Sequence, residues 1–307
     1  MILLGFLGVA AALGAAFLAL LLGAAAAATR RDDLLTAARR AVVVCSFFTT
    51  LGVVGLVYAI IAGDYQMMYV FAHSDHALPL LYKIGALWGG MEGSLLFWSW
   101  LLALFATAVV MRHRRDGPAL LGPAISVLMV VELFFLALVV FFESPWARSA
   151  TIPVDGRGLN PLLQHPAMVF HPPCLYLGFI GMTVPFAFAM AALFSRQMGD
   201  DWIRKSRPWA VLAWLFLAAG NVLGARWAYV ELGWGGYWAW DPVENAAFMP
   251  WLANTAYLHS VMIQERKGML KIWNMLLVIT AFLLTIFGTF ITRSGLISSV
   301  HSFAQSN

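Results

Sequence analysis

Eight long apolar stretches constrain this chain more than any other feature of its sequence. A helix rises about 1.5 Å per residue, so about 20 apolar residues cross a hydrocarbon core of about 30 Å. Charged residues make up only 11% of the 307, whereas a soluble domain carries about 25%. We therefore predict an all-α integral membrane protein, one polytopic domain of about eight transmembrane helices near residues 2–28, 41–62, 94–111, 119–142, 174–194, 209–230, 244–263 and 273–291.

The placement of lysine and arginine predicts the orientation of these helices. Of the 19 basic residues, 14 lie in segments 30–40, 112–115, 196–207 and 266–271, and the other five are Lys83, Arg148, Arg157, Arg226 and Arg293. The positive-inside rule assigns the first set to the cytoplasm, which puts both termini outside. The first stretch lacks a basic start and is too long for a signal peptide, so we expect a retained helix. The net charge of +4 then indicates orientation and no nucleic-acid partner.

The two cysteines exclude some redox and haem proteins. Cys45 and Cys174 form no CxxC, and no CxxCH occurs in the sequence. The chain is therefore neither a thioredoxin-like thiol carrier nor a cytochrome c that holds its own haem covalently.

A tryptophan-rich segment, residues 227–251, marks the loop between the sixth and seventh stretches. Five of the 13 tryptophans fall in this window, where even scattering would place about one. An aromatic belt at the membrane interface explains one or two rings per helix end. It does not explain three rings within seven residues, interleaved with glycines that permit close backbone approach. We interpret these residues as a surface for a planar, mostly apolar ligand: Trp234, Trp238, Trp240, Gly235 and Gly236.

The stretch after this loop has a well-specified beginning. Asp241 is a typical N-cap, Pro242 suits the first helical position, and Glu244 completes a capping box. We expect Asp241 and Glu244 to hold the loop rigid, with no acid/base role, and we count Asp241 among the residues of the ligand-binding segment.

Five of the seven histidines are predicted on the outer face, and two of them flank the tryptophan-rich segment. His171 precedes two prolines, which predicts an extended backbone at the mouth of a helix that starts near Cys174. His301 follows the last stretch, in a pattern typical of an interfacial amphipathic helix. Each alone is typical of a solvated or interfacial residue. Together they meet the requirement for bis-imidazole ligation of haem iron, and His165 competes with His171 on chemistry alone.

Three other polar residues each have a structural and a functional interpretation. His259 lies inside a stretch, where it is either a neutral imidazole bonded to a neighbouring helix or a functional site. Arg226 and Arg293, at outer ends of stretches, suit haem propionates or simple interfacial snorkelling. We expect His73 and His76 to belong to solvated loops.

Several sequence motifs resemble a known family. WGGYWAWDPVEN is similar to the tryptophan-rich "WWD" signature of haem-handling membrane proteins. GRGLNPLLQHPAMVFHPP, WAYVELGWGG, FMPWL and GTFITRSGLISSVHSFA resemble the N-terminal part of the CcmF family of cytochrome c maturation haem lyases. The similarity runs from WGGMEGSLLFW, around Glu92, to Ala304. Met91 departs from the family, which commonly has histidine there; we expect ordinary packing for it.

The resemblance implies a haem lyase of the bacterial inner membrane with a periplasmic active face. Haem would come from the chaperone CcmE and would be positioned for thioether attachment to the CxxCH cysteines of apocytochrome c, presented by thiol-presenting maturation subunits. The family's periplasmic haem ligands match His171 and His301. His259 matches one of two intramembrane ligands of a permanent b-type haem, whose partner lies on a later helix. We therefore expect this chain to be either one piece of a split protein or a truncated one, and to be inactive without a C-terminal half.

Four other functions are possible for such a chain. A transporter typically places charged residues at mid-membrane, whereas these stretches are nearly free of acids. A haem exporter needs a haem platform as well, and a passive assembly subunit would use the tryptophans to dock a protein. Relatives dedicated to nitrite reductase maturation share the same motifs.

Overall fold

The chain is almost entirely helical. Its structure, a computed structural model, describes residues 2–294 and 299, and it contains no β-strand within them. The α-helices are α1 (Ile2–Thr29), α2 (Asp32–Ala62), α3 (Met68–His73), α4 (Leu80–Gly85), α5 (Met91–Arg112), α6 (Pro118–Phe141), α7 (Ala167–Gly181), α8 (Thr183–Ser195), α9 (Asp201–Glu231), α10 (Pro242–Lys267) and α11 (Lys271–Arg293). The predicted all-α membrane architecture is confirmed.

Seven helical segments of the described chain are long and apolar enough to cross a membrane. They are α1, α2, α5, α6, α7 continued by α8, α9 and α11. The remaining predicted span, residues 244–263, forms α10, whose 26 residues include polar side chains along its length. Since α10 packs against α9 and α11, it belongs to the bundle, and its crossing of the membrane stays a prediction.

The helix that contains His171 starts earlier than its sequence predicts. The predicted extended backbone at His171 and a start near Cys174 are wrong, because α7 begins at Ala167. Pro172 has no N–H to donate to the carbonyl of Met168, four residues before it. The indole of Trp88 donates to that carbonyl instead, at 3.3 Å. A contact from a distant segment therefore compensates for the helix-interior proline.

The loops gather at two ends of the bundle. At one end the Arg39 guanidinium donates to the carbonyls of His113 and Asp116, at 3.2 and 2.7 Å, and Lys205 Nζ lies 2.6 Å from the Asp116 carboxylate. At the other end, the 63–90 and 142–166 segments pair, with the Ser149 amide donating to the Gln66 carbonyl at 2.8 Å. Basic segments from α2, the α5–α6 loop and α9 thus share one end, as the positive-inside pattern requires.

Candidate functional site

The imidazole of His171 is held in a defined tautomer near the N-terminal end of α7. Its Nδ1 lies 2.8 Å from the carbonyl oxygen of Gly220 on α9. A carbonyl oxygen can only accept, so Nδ1 carries the hydrogen and, in the neutral ring, Nε2 carries the lone pair. Metal-binding histidines commonly donate their second ring N–H to a carbonyl in this way. The hydrogen bond therefore gives His171 the tautomer in which a histidine binds a metal ion through Nε2.

Glycines on α9 make room for this ring. A Cβ added at Gly224 would lie 2.5 Å from Cε1 of His171, and one at Gly220 would lie 2.6 Å from Leu175 on α7. The two glycines are four residues apart, so they share one face of α9 and let the two helices approach closely. Sequence reasoning missed both, although their spacing was the available signal.

His171 borders two cavities at this end of the bundle. The larger has a volume of about 160 Å³ and the smaller about 30 Å³, and both are bordered by His171, Leu175, Val243 and Ala247. The larger cavity is walled mostly by aromatic and apolar side chains, among them Trp88, Trp98, Met168, Tyr176 and Phe179. A cavity of about 150 Å³ takes a benzene-sized molecule. The larger cavity therefore has room for one edge of a planar ligand of porphyrin size, and not for the whole ring.

Arg293 supplies the positive charge of the larger cavity. Its guanidinium donates to the hydroxyl of Tyr176 and lies 4.0 Å from the sulfur of Met91. Met91, expected to pack ordinarily, is thus a neighbour of a cavity arginine. Tyr176 was missed by sequence reasoning, since a lone tyrosine in an apolar stretch gives no signal. Arg226 is exposed and borders neither cavity.

The three tryptophans of the Trp loop, residues 232–241 between α9 and α10, have different surroundings. Trp238 borders the smaller cavity with His171. Trp234 donates to the Gly236 carbonyl at 2.9 Å and packs beside Trp227. Trp240 is 68% exposed, and its ring stands at 85° to that of Trp238. The loop therefore does not build one flat indole surface, and among these three rings Trp238 is the one next to His171.

Unusual backbone angles shape the Trp loop. Gly235 has a left-handed φ of +74°, which glycine adopts without strain. Trp240 also has a positive φ, +60°. The side-chain amide of Asn245 donates through Nδ2 to the Trp240 carbonyl at 3.0 Å and stabilises this conformation.

The predicted capping box is present. The Asp241 carboxylate accepts from the Val243 amide at 2.9 Å, and the Glu244 carboxylate accepts from the amides of Ala239 and Asp241 at 3.0 and 3.1 Å. The Ser299 hydroxyl also donates to Asp241, at 2.7 Å. This contact joins Ser299 to the start of α10. His301 lies outside the described residues.

The hydrogen bonds of His165 differ from those of His171. The Ala167 amide donates to His165 Nδ1 at 3.1 Å, and Nε2 lies 3.7 Å from the Glu231 carboxylate. The hydrogen must then be on Nε2, so neither nitrogen offers a lone pair to a metal ion. The structure thus distinguishes two histidines that the chemistry of the residues alone left in competition.

The remaining predicted histidines lie apart from this site. His73 Nδ1 bonds the Tyr69 carbonyl at 2.9 Å, and His76 pairs with Asp155 at 2.9 Å. His259 is exposed on α10, with Nδ1 bonded to the Thr255 carbonyl at 2.8 Å. In the neutral ring the lone pair of His259 is therefore on Nε2. The ring lies on the exposed side of α10 within the part of the bundle that the structure describes.

Comparison with known proteins gives a consistent result. The family described as "Cytochrome C assembly protein" matches residues 88–297. The chain is 45% identical over 251 residues to the cytochrome c-type biogenesis protein CcmF of Escherichia coli (strain K12), covering 81% of this chain and 39% of that protein. It is 44% identical over 259 residues to the cytochrome c-type biogenesis protein NrfE of Haemophilus influenzae, covering 84% and 41%.

A solved structure agrees with these sequence matches. The structure titled "Cytochrome c Heme Lyase CcmF" is similar with a TM-score of 0.84 and 37% identity, covering 96% of this chain and 47% of that one. The chain therefore spans about 40% of the length of the curated relatives it matches.

Proposed function

This chain belongs to the cytochrome c assembly protein family, and we propose that it is the haem-handling part of a cytochrome c haem lyase in the bacterial inner membrane. The observation that supports this most directly is the hydrogen bond from His171 Nδ1 to the Gly220 carbonyl. It leaves the lone pair on Nε2, beside cavities walled by aromatic side chains. Haem iron is commonly held by a histidine in this state.

The side chains around His171 fit one edge of a haem. His171 would supply one axial ligand and His301 the second. Trp238 and the apolar wall of the larger cavity suit the ring, and Arg293 suits a propionate by charge-assisted hydrogen bonding. Arg226 borders neither cavity, so it could pair with a haem propionate only if that propionate lies outside both cavities.

The reaction proposed is addition of cysteine thiols to haem vinyl groups. CcmE would deliver haem on the periplasmic face, and apocytochrome c would present its CxxCH cysteines with thiol-presenting maturation subunits. Each S–H adds across one C=C bond, so sulfur bonds to one carbon, hydrogen goes to the other, and no net oxidation occurs. The role of this chain is then to hold the ring in place while the thiols approach.

A second haem is proposed at His259. Its exposed imidazole would bind the iron of a permanent b-type haem through Nε2. The second ligand would be a histidine from the part of the relatives' length that this chain does not span. We expect a b-type absorption band only when this chain is co-expressed with such a C-terminal half, and we expect His259→Ala to remove it. A band of equal height in His259→Ala would contradict the assignment.

Alanine variants of three histidines test the proposed haem site at His171, which we call the outer site because the positive-inside pattern predicts it on the periplasmic face. The chain is purified with holo-CcmE, and its haem absorption is recorded for His171→Ala, His301→Ala and His165→Ala. The first two should reduce or shift the outer-site signal, and His165→Ala should preserve it. Unchanged spectra for the first two would favour a passive docking subunit, and failure to retain a haem-containing CcmE complex would favour an exporter.

A further inference from the structure

A second large cavity lies between α1, α6 and α8, at the end of the bundle opposite His171. Its volume is about 660 Å³. Both α1 and α8 pack against α6, and the α1 wall consists of alanines, whose short side chains leave the space between the helices unfilled. We call this cavity the α6 groove; its lining includes Ala24, Ala27, Pro123, Val130, Phe194 and two arginines, Arg30 and Arg196.

The two arginines give the groove a positively charged mouth. Arg30 directly follows α1 and Arg196 directly follows α8, with left-handed φ angles of 58° and 57°. Both are exposed, and neither forms an ion pair with a carboxylate of residues 2–294. Both belong to the basic set that the positive-inside rule assigns to the cytoplasm. Two guanidinium groups that form no ion pair within residues 2–294 thus line one apolar groove.

Polar groups inside the α6 groove are few. The Ser126 hydroxyl is occupied by the carbonyls of Leu20 and Gly122, at 3.1 and 3.2 Å. Pro123 has no N–H for the carbonyl of Ala119, which therefore has no intrahelical bond from that position. Apart from that carbonyl, the wall offers mainly hydrocarbon contacts.

We propose that the α6 groove binds an anionic phospholipid of the cytoplasmic leaflet. The phosphate would lie between Arg30 and Arg196, and an acyl chain would follow Ala24, Val130 and Phe194. Basic pockets between transmembrane helices on the cytoplasmic side are known to bind anionic head groups. The charge complements such a lipid, and the helices that wall the groove, α1, α6 and α8, belong to segments long and apolar enough to cross a membrane. The bound lipid would bridge the ends of α1 and α8.

Native mass spectrometry tests this proposal. The full chain is titrated in detergent with phosphatidylglycerol or phosphatidylcholine of the same acyl chains. We expect a clear preference for phosphatidylglycerol. The double variant Arg30→Gln/Arg196→Gln should weaken it by about fivefold per arginine, roughly 25-fold together. The control Arg114→Gln/Arg115→Gln makes the same charge change on exposed residues outside the groove and should bind like the wild type.

Two further experiments test whether the lipid binds inside the groove or only to surface charge. Ala24→Trp fills the groove and keeps both arginines, so this variant should also lose the lipid. Glycerol phosphate lacks acyl chains, so it should not compete with the lipid. An equal loss of phosphatidylglycerol binding in Arg30→Gln/Arg196→Gln and in Arg114→Gln/Arg115→Gln would overturn the proposal, because it would mean that diffuse surface charge attracts the lipid. Equal binding of the two lipids, retention by Ala24→Trp, competition by glycerol phosphate, or a haem or quinone retained in the groove would overturn it as well.

Discussion

His171 and His165 are close in sequence, yet their hydrogen bonds select opposite tautomers. A carbonyl oxygen accepts from His171, whereas a backbone amide donates to His165. Only the first arrangement puts the lone pair of the neutral ring on Nε2. The proposed role of His171 as a haem ligand therefore depends on what its Nδ1 touches.

Gly224→Ala tests whether the position of the His171 ring matters. Alanine normally stabilises a helix by about 1 kcal/mol over glycine, but here its Cβ would lie 2.5 Å from the ring. We expect a displaced imidazole and a reduced or shifted outer-site haem spectrum, without loss of helix content. Gly14→Ala, in α1 with no atom near the added Cβ, is the matched control. A wild-type haem spectrum in Gly224→Ala would count against the role of the ring.

At the scale of the element, the start of α10 and the start of α7 show what local sequence determines. The capping box at Asp241 was predictable because all of its partners lie within a few residues. The start of α7 was not, since the carbonyl freed by Pro172 is satisfied by Trp88, 80 residues away from Met168. The space that Gly220 and Gly224 leave beside α7 was missed for a similar reason. Their spacing places them on one face of α9, but it does not say which helix packs against that face. The motifs still located the Trp loop correctly.

The N-cap of α10 gives a prediction about the Trp loop. Asp241→Ala removes the acceptor for the Val243 amide, and the loss of such a cap costs about 1 kcal/mol. We expect faster hydrogen exchange of the Val243 and Ala239 amides and a lower unfolding midpoint. Asn is an equally good N-cap, so Asp241→Asn should resemble the wild type. If both variants exchanged alike, the cap would not be what orders the loop.

At the scale of the whole molecule, a polar cluster ties three segments together at the basic end. Burial lowers the pKa of His113, despite its contact with Asp116. Burial alone would raise the pKa of the Asp116 carboxyl, but Lys205 and His113 together hold it below its ordinary value. The folded state therefore favours neutral His113 and ionised Asp116.

Both shifts make the protein less stable in acid. The unfolded chain binds protons at His113 and Asp116 more readily than the folded one, so stability falls as the pH drops below the ordinary histidine pKa and falls further as Asp116 titrates. The thermal unfolding midpoint in detergent should decrease between about pH 7.5 and about pH 5.5. His113→Asn should flatten this decrease, and an equally steep slope in that variant would refute the assignment.

Cysteine labelling tests the orientation and the crossing of α10. In intact cells, a membrane-impermeant maleimide should label Ala239→Cys, in the Trp loop, and should label Lys267→Cys, at the far end of α10, only after permeabilisation. The background lacks Cys45 and Cys174. Labelling of both sites in intact cells would mean that α10 does not cross the membrane, and the reverse pattern would invert the orientation.

Imidazole rescue of a cavity variant tests whether Nε2 of His171 binds haem iron. We expect His171→Gly to lose the low-spin ferric signal of the haem at this site in electron paramagnetic resonance and to regain it when free imidazole is added, while His165→Gly keeps it throughout. An unchanged low-spin signal in His171→Gly without imidazole would show that another group binds the iron.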